Sequence, residues 1–248
     1  MKILGKKGPA KHLKRELAPK VWPIHRKKHV WAVKTIPGPH PFKQSIPLKI
    51  VFREILGLAQ NNREAKMLAK EGKIIVDGKP RKDERFPIGI MDLVEIPDMK
   101  QRFRVMPVKG GKLKLCEVKE GESNFKLCRV EGKTLVNGGR IQFNLHDGTN
   151  ILVSDGFENI KVNDVLKVKI PEREVLDHIP LKTDTQALIT GGRSQGVWGT
   201  VIEIGSEPGA KKTVMIKTPD GENVKTLAKY VFPIGSTAPF SESLEASV

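Results

Sequence analysis

The sequence predicts an α+β chain of several small modules rather than one large domain, and three observations predict it. Helical periodicity is confined to residues 47–72. From Phe103 onward, short β-rich runs recur between glycine-containing turns. The first fifty of the 248 residues carry thirteen Lys and Arg against a single acid, Glu16, so about +12 of the net charge of +16 sits in a fifth of the length.

Residues 1–42 read as a basic extended arm, punctuated by Pro9, Pro19, Pro23, Pro37, Pro39 and Pro41. Proline deletes backbone donors and turns its predecessor away from helix, which leaves room only for a short helix around Lys11–Leu17. A segment that self-repels this strongly is expected to stay extended until a polyanion neutralises it, and the expected polyanion is nucleic acid. The arm's candidate contacts are Lys6, Lys7, Lys11, His12, Lys14, Arg15, Trp22, Arg26, Lys27 and Lys28. Trp22 and Trp31 suit either stacking on a base or packing on the folded modules. His25, His29 and His40 join His12 as phosphate donors.

Residues 43–104 form the next unit. Leu48, Val51, Phe52, Ile55 and Leu56 fall at helical spacing after Pro47. Asn62 is read as the N-cap of a second helix ending at Gly72. Its apolar side is Ala65, Leu68 and Ala69. Arg63, Lys66, Lys70 and Lys73 stand at spacings of three, four and three, which stacks four cations on one face. Ile74-Ile75-Val76 leads into a tight Asp77-Gly78 turn and the basic stretch Lys79–Lys82, a hairpin signal. Met91–Ile96 is expected to be the last strand of the unit.

Residues 105–172 are assigned to a central antiparallel β domain. Its expected strands are Lys112–Val118, Phe125–Val130, Thr134–Val136, Arg140–Asn144, Asn150–Ser154 and Val165–Ile170. Residues 173–235 form a further β module after a proline-containing link, Pro171–Asp184. The small, acidic residues 236–248 read as a disordered tail.

Composition excludes several function classes. No apolar run approaches the roughly 18–20 residues that span a bilayer, so no membrane partner is expected. The start lacks the apolar core of a secretory signal, and its Lys, Pro and His content is unlike a transit peptide. Cys116 and Cys128 have no CxxC spacing and no nearby His pair, so two reduced thiols are expected and no metal. There is no HExxH, no G-x-S-x-G, and no G-K-[ST] after the glycines of residues 191–199. His146 beside Asp147 and His178 beside Asp177 read as turn and linker residues. No cofactor, small-molecule substrate or catalytic residue is expected.

The helix pair with its hairpin admits two readings: a winged-helix DNA binder, whose second helix enters a groove, or an RNA-binding module. It resembles the S-four-type RNA-binding module, an αα-hairpin with a basic surface, in Asn62-Arg63-Glu64-Ala65-Lys66, Gly72, Val76-Asp77-Gly78-Lys79 and Gly89–Val94. Asn62 and Asp77 depart from the usual Ser and Asn without losing the cap or turn role. The resemblance places Lys73, Lys79, Arg81 and Lys82 with the helix stripe on the RNA-facing side; the alternative is a merely solvated helix face. Ala187–Ile202 resembles the KOW motif of ribosomal proteins and transcription elongation factors, which implies an SH3-like small β-barrel at the C-terminus. In that motif the glycines let a turn approach RNA, which singles out Gly191, Gly192, Arg193, Gly196 and Gly199. Gln195 stands where Lys is common.

The arm carries the most specific match. Gly8-Pro9-Ala10-Lys11-His12-Leu13-Lys14-Arg15, Ala18-Pro19-Lys20 with Trp22, Gly38-Pro39-His40 and Pro47-Leu48 resemble the start of the archaeal and eukaryotic S-four-e family of small-subunit ribosomal proteins. The module order is also that family's. The resemblance implies a cytoplasmic structural protein of the small ribosomal subunit, with small-subunit rRNA and neighbouring ribosomal proteins as partners. Few aromatics argue for folded RNA held through phosphates and shape rather than single strands held by stacked bases. Two alternatives remain: an RNA-modifying or translation-regulating enzyme that uses the helical module for targeting, and an elongation factor, which leaves the arm unexplained.

Overall fold

The structure, a computed structural model, describes residues 12–118, 120–152, 159–205 and 211–235. Two short helices and three five-stranded antiparallel sheets dominate it. The first helix begins at Leu48–Ile50, with Pro47 at its N-cap, and widens into a π-helical segment, Val51–Ile55. There the amide of Leu56 donates to Val51 O at 2.9 Å, a one-residue-longer ring than an α-helix closes. Leu48, Ile50, Val51 and Phe52 are buried. They face the second helix, Asn62–Glu71, through its own buried residues, Ala65 and Ala69, whose small side chains allow close approach.

The first sheet runs in the order Lys79–Pro80, Ile75–Val76, Leu93–Ile96, Gln101–Val108, Lys112–Glu117. The second runs Asn150–Leu152, Ile141–Leu145, Phe125–Leu135, Val165–Lys169, Val175–Ile179; the third runs Asn223–Leu227, Thr213–Lys217, Trp198–Gly205, Gln186–Ile189, Val231–Pro233. The two runs expected at 125–130 and 134–136 are one eleven-residue strand.

Sheet membership moves two of the expected boundaries. Gln101–Val108 crosses the 104/105 boundary and pairs with both Leu93–Ile96 and Lys112–Glu117, so the first sheet continues to Glu117. Val175–Ile179 lies in the expected linker yet pairs with Val165–Lys169, adding an edge strand to the second sheet. In both cases strand pairing satisfies backbone groups that composition alone had assigned elsewhere. The residues expected to form the tail, 236–248, lie outside the described residues.

The described part of the arm is not free. One apolar core runs from Val21 and Trp22 through both helices and the first sheet to Leu127, Val165, Leu188 and Phe232, so it draws on every module. Smaller cores lie within the second and third sheets. Where a short helix was expected, Leu13–Lys14 pairs with Trp31–Ala32, followed by a 3-10 turn at Arg15–Leu17.

A buried polar cluster fastens the modules at their junction. Lys126 Nζ on the second sheet lies 2.7 Å from Asp77, 2.6 Å from Asp92 and 3.2 Å from Asp147. Asp92 also bonds His40 of the arm at 2.8 Å and accepts the Gly89 amide at 2.9 Å. Burial drives the carboxyls up, but His40 and Lys126 overcome it at Asp92, holding it well below the ordinary range. At Asp147 burial again opposes, yet Lys126 and the Thr149 hydroxyl bring it down to about 2. At Asp77 burial prevails and the carboxyl is raised. His146 accepts the Arg129 amide on Nδ1 and donates from Nε2 to Ile90 O, both at 3.2 Å, which fixes a neutral ring. Burial, then Lys126, lowers its pKa to about 3. The Arg129 side chain reaches the third sheet's module, donating to Lys229 O at 2.7 Å.

Candidate nucleic-acid interface

The second helix presents the basic stripe, and its ends are both held. Asn61, not Asn62, is the N-cap: its side chain accepts the Arg63 and Glu64 amides at 3.0 and 3.1 Å. Glu64 reaches back to the Gln60 amide at 2.8 Å and to Asn61 Nδ2 at 2.6 Å, a reciprocal capping arrangement. Gly72 closes the helix at φ 72°, a left-handed conformation that glycine adopts without a Cβ penalty. With Ala65 and Ala69 turned inward, Arg63, Lys66 and Lys70 are exposed on the opposite side. Lys73 is also exposed but sits 3.6 Å from Glu71 and 3.4 Å from Asp98, which offsets its charge.

The hairpin extends this surface. A Cβ at Gly72 would lie 3.5 Å from Pro80 and 3.9 Å from Lys82 Cε, so the hairpin arm sits against the end of the helix. Lys79 and Lys82 are exposed. The turn itself faces the protein: a Cβ at Gly78 would meet Pro171 at 2.9 Å, and Asp77 bonds Leu93 N and Lys126. Arg81 is half-buried, with its guanidinium 4.3 Å from the Phe86 ring centroid.

In the arm, the expected contacts divide sharply. His12, Lys14, Lys27 and Lys28 are exposed. Arg15 is only 2% exposed; it donates to His25 O at 2.5 Å and pairs with Glu54 at 3.0 Å. Trp22 is equally buried, donating to Ser45 O at 2.5 Å with its ring edge-on to Phe42. Both residues hold the arm down. Arg26 is spent in the same way, on the carbonyls of Glu16, Ala18 and Pro19 at 2.7, 2.9 and 3.2 Å. His40 is buried against Asp92. Lys6, Lys7 and Lys11 lie outside the described residues.

The glycines of residues 191–199 mostly serve packing. A Cβ at Gly191 would fall 2.6 Å from the Tyr230 ring, one at Gly196 2.1 Å from the Val108 carbonyl carbon, and one at Gly199 2.0 Å from Lys217 O. These three glycines therefore admit protein, not RNA, at close range. Gly192, at φ 87°, and Arg193 are the exposed part of the turn.

The two tryptophans expected either to stack on a base or to pack divide between these roles: Trp22 packs, and Trp31 is 58% exposed. The Lys126 cluster is not legible in the sequence; its one signal is an aspartate, Asp92, inside the otherwise apolar run Ile88–Val94. Among the described residues there is no cluster of His, Cys, Asp or Glu fit to hold a metal, and no helix is long and apolar enough to cross a membrane. Cys116 and Cys128 are buried, and neither forms a disulfide.

Comparison with known proteins gives concordant matches. The model of Ribosomal family S4e matches residues 99–175, that of the RS4NT (NUC023) domain residues 7–43, and that of the S4 domain residues 51–94. The small ribosomal subunit protein eS4 of Methanothermobacter thermautotrophicus is 45% identical over 226 residues, covering 91% of this chain and 92% of that one. Its counterpart in Staphylothermus marinus is 42% identical over 243 residues, covering 95% and 96%. Among solved structures, the crystal structure of 30S ribosomal protein S4e from Thermoplasma acidophilum superposes with a TM-score of 0.65 at 32% identity. It covers 78% of this chain and 96% of that one.

Proposed function

Because the chain belongs to the S4e family of ribosomal proteins, we propose that it acts as a structural constituent of the small ribosomal subunit by gripping folded small-subunit rRNA through its phosphates. The observation that carries this is the continuous basic surface of Arg63, Lys66 and Lys70 running past Gly72 to Lys82 and Lys79. These side chains are exposed on a helix and hairpin whose other sides are locked into the core, so they meet a polyanion without reorganisation. Phosphate contacts of this kind fix register and orientation on RNA. Lys14, Lys27 and Lys28 in the arm and Arg193 in the third sheet's glycine turn are further exposed cations.

We read the antiparallel pair Gln186–Ile189 and Trp198–Gly205, with its glycine turn, as a KOW-type element of an SH3-like module, and the two helices as an S4-type αα-hairpin. The support for both is sequence pattern together with local geometry. Neighbouring ribosomal proteins are its other partners in the cytoplasmic ribosome. The family is one of ribosomal proteins, and the enzyme alternative finds no support in it.

The test is sedimentation through a cushion at high salt with purified small ribosomal subunits. The protein is expected in the particle fraction, and in the soluble fraction after RNase digestion. Recovery at the top of the cushion with intact subunits contradicts the proposal.

A further inference from the structure

Between the arm and the first helix lies a cavity of about 450 Å³, walled by Trp31 and four aliphatic residues and, on its polar half, by Arg15, His29, Lys49, Arg53 and Asn62. Its volume falls within the range of roughly 300–1,000 Å³ typical of small-ligand sites, and its lining divides about evenly between apolar and polar residues. Its composition is unusual for this chain. Trp31 is 58% exposed and Val30 67% exposed, although both lie in the most cationic part of the sequence, where no acid occurs between Glu16 and Glu54. Leaving an indole in water forgoes its burial, and the arm's other tryptophan, Trp22, is fully used by the core.

The seam that makes this cavity is well supported. The amide of Arg15 donates to Val30 O at 2.8 Å, and Lys14 pairs with Trp31 across the short ladder, so the exposed Lys14 stands beside the indole. His12 leans on the same ring with centroids 5.7 Å apart. Arg53 donates to Asn62 Oδ1 at 2.7 Å, which orients the Asn62 amide with its NH₂ group as the remaining donor. Glu54 is bonded to both Arg53 and Arg15, and burial is overcome there so that its pKa is lowered. The wall offers an aromatic face, aliphatic sides, an amide with donors to spare, and the cations Arg15, Lys49 and Arg53.

We infer that this cavity receives one unstacked nucleobase of the bound rRNA, stacked on Trp31 and read at its edge by Asn62, with its phosphate near Lys14. The inference rests on the rRNA-binding reading above and adds to it a site of different chemistry: stacking at one nucleotide, where the helix stripe supplies phosphate contacts only. Sequence-specific recognition of RNA works this way, on loops and bulges whose bases are splayed out onto aromatic side chains. A peptide side chain from a neighbouring protein is the competing occupant; the nearby acids, Glu54 and Glu84, are already paired with Arg15, Arg53 and Lys49 of the lining, and these cations with the exposed Lys14 favour the nucleotide.

The experiment uses the full chain and folded small-subunit rRNA, with affinity and tryptophan emission read in the same titration for wild type, W31A and W31F. Trp31→Ala is expected to weaken binding roughly 5- to 100-fold, the loss typical of one base-stacking aromatic, while Trp31→Phe keeps most of the affinity. Wild-type emission is quenched by RNA, and the W31F difference assigns that quenching to Trp31 rather than to Trp22 or Trp198. Thermal unfolding of both variants should match wild type, since the side chain is exposed. Wild-type affinity in W31A with unquenched Trp31 overturns the inference but leaves rRNA binding standing. Failure of the wild-type chain to bind the rRNA removes both together.

Discussion

Replacing Lys126 with Met removes the cation that the buried Asp92 and Asp147 share with the half-buried Asp77. Its Nζ lies within 2.6–3.2 Å of Asp92, Asp77 and Asp147, and its pKa stands well above the ordinary lysine value: burial opposes the charge, and Asp92 and Asp77 more than compensate. Removing one partner of a buried ion pair costs about 3–5 kcal/mol, because the remaining charge keeps its desolvation penalty. For a chain of this size that corresponds to a fall in Tm of roughly 6–20 °C, at about 2–4 °C per kcal/mol. The pH dependence follows from the directions of the shifts. Asp92 and Asp147 are depressed, so in wild type they contribute stability that is full above about pH 4, their unfolded value, and is lost as pH falls toward 2. Without Lys126 the same carboxyls rise, and protonation relieves them as pH falls. The deficit of K126M should therefore be largest at pH 7 and shrink by pH 4. Urea midpoints for both proteins at the two pH values measure it. A variant within about 1 kcal/mol of wild type at pH 7, or a deficit that grows in acid, refutes the assignment of this cluster as the fastener of the modules.

Substituting Arg63, Lys66 and Lys70 together with Ala should lower the magnitude of the salt slope of rRNA binding by about 2–3, at roughly 0.7–0.9 per lost phosphate contact; a Tm that drops steeply instead would show the stripe to be structural. His146 has a folded pKa lowered from 6.5 to about 3, so its stabilisation is complete above pH 6.5 and is lost as pH falls toward 3. The urea midpoint of His146→Gln should accordingly fall less steeply than that of wild type across this window, and parallel curves would contradict the buried neutral ring. Trp22→Ala should destabilise by about 3–5 kcal/mol, as loss of a fully buried aromatic does; a near-neutral result by thermal unfolding would mean that the arm is not anchored there.

The legible parts of the fold were those written in local chemistry. Helical spacing after Pro47, the Asp77-Gly78 turn, the glycine-punctuated strands and the Arg63–Lys66–Lys70 stripe each depend on residues within one or two turns of each other. The arm misled because net charge does not record which cation has partners. Arg15 and Arg26 satisfy their donors on carbonyls ten or fewer residues away and on Glu54, and only the folded path of the chain reveals those acceptors. Asn61 and Asn62 are the same residue type, suited to capping, and only the reciprocal bonds between Asn61 and Glu64 show that Asn61 caps. Gly191, Gly196 and Gly199 are expected from the motif to let a turn approach RNA, but a glycine does not disclose what approaches it; here Tyr230, Val108 and Lys217 do. Asp77 and Asp147 each precede a glycine and so looked like turn formers, which hid their second role around Lys126.

The central claim, that exposed cations on a locked scaffold grip rRNA phosphates, is tested most directly by the salt dependence of binding to a folded small-subunit rRNA fragment. Nine exposed cations carry the claim: Lys14, Lys27, Lys28, Arg63, Lys66, Lys70, Lys79, Lys82 and Arg193. If half to all of them reach phosphate, log K should fall against log salt with a slope of roughly −3 to −8, from about 0.7–0.9 per contact. A slope near zero, or binding to ribosomal particles that survives complete RNase digestion, would contradict it.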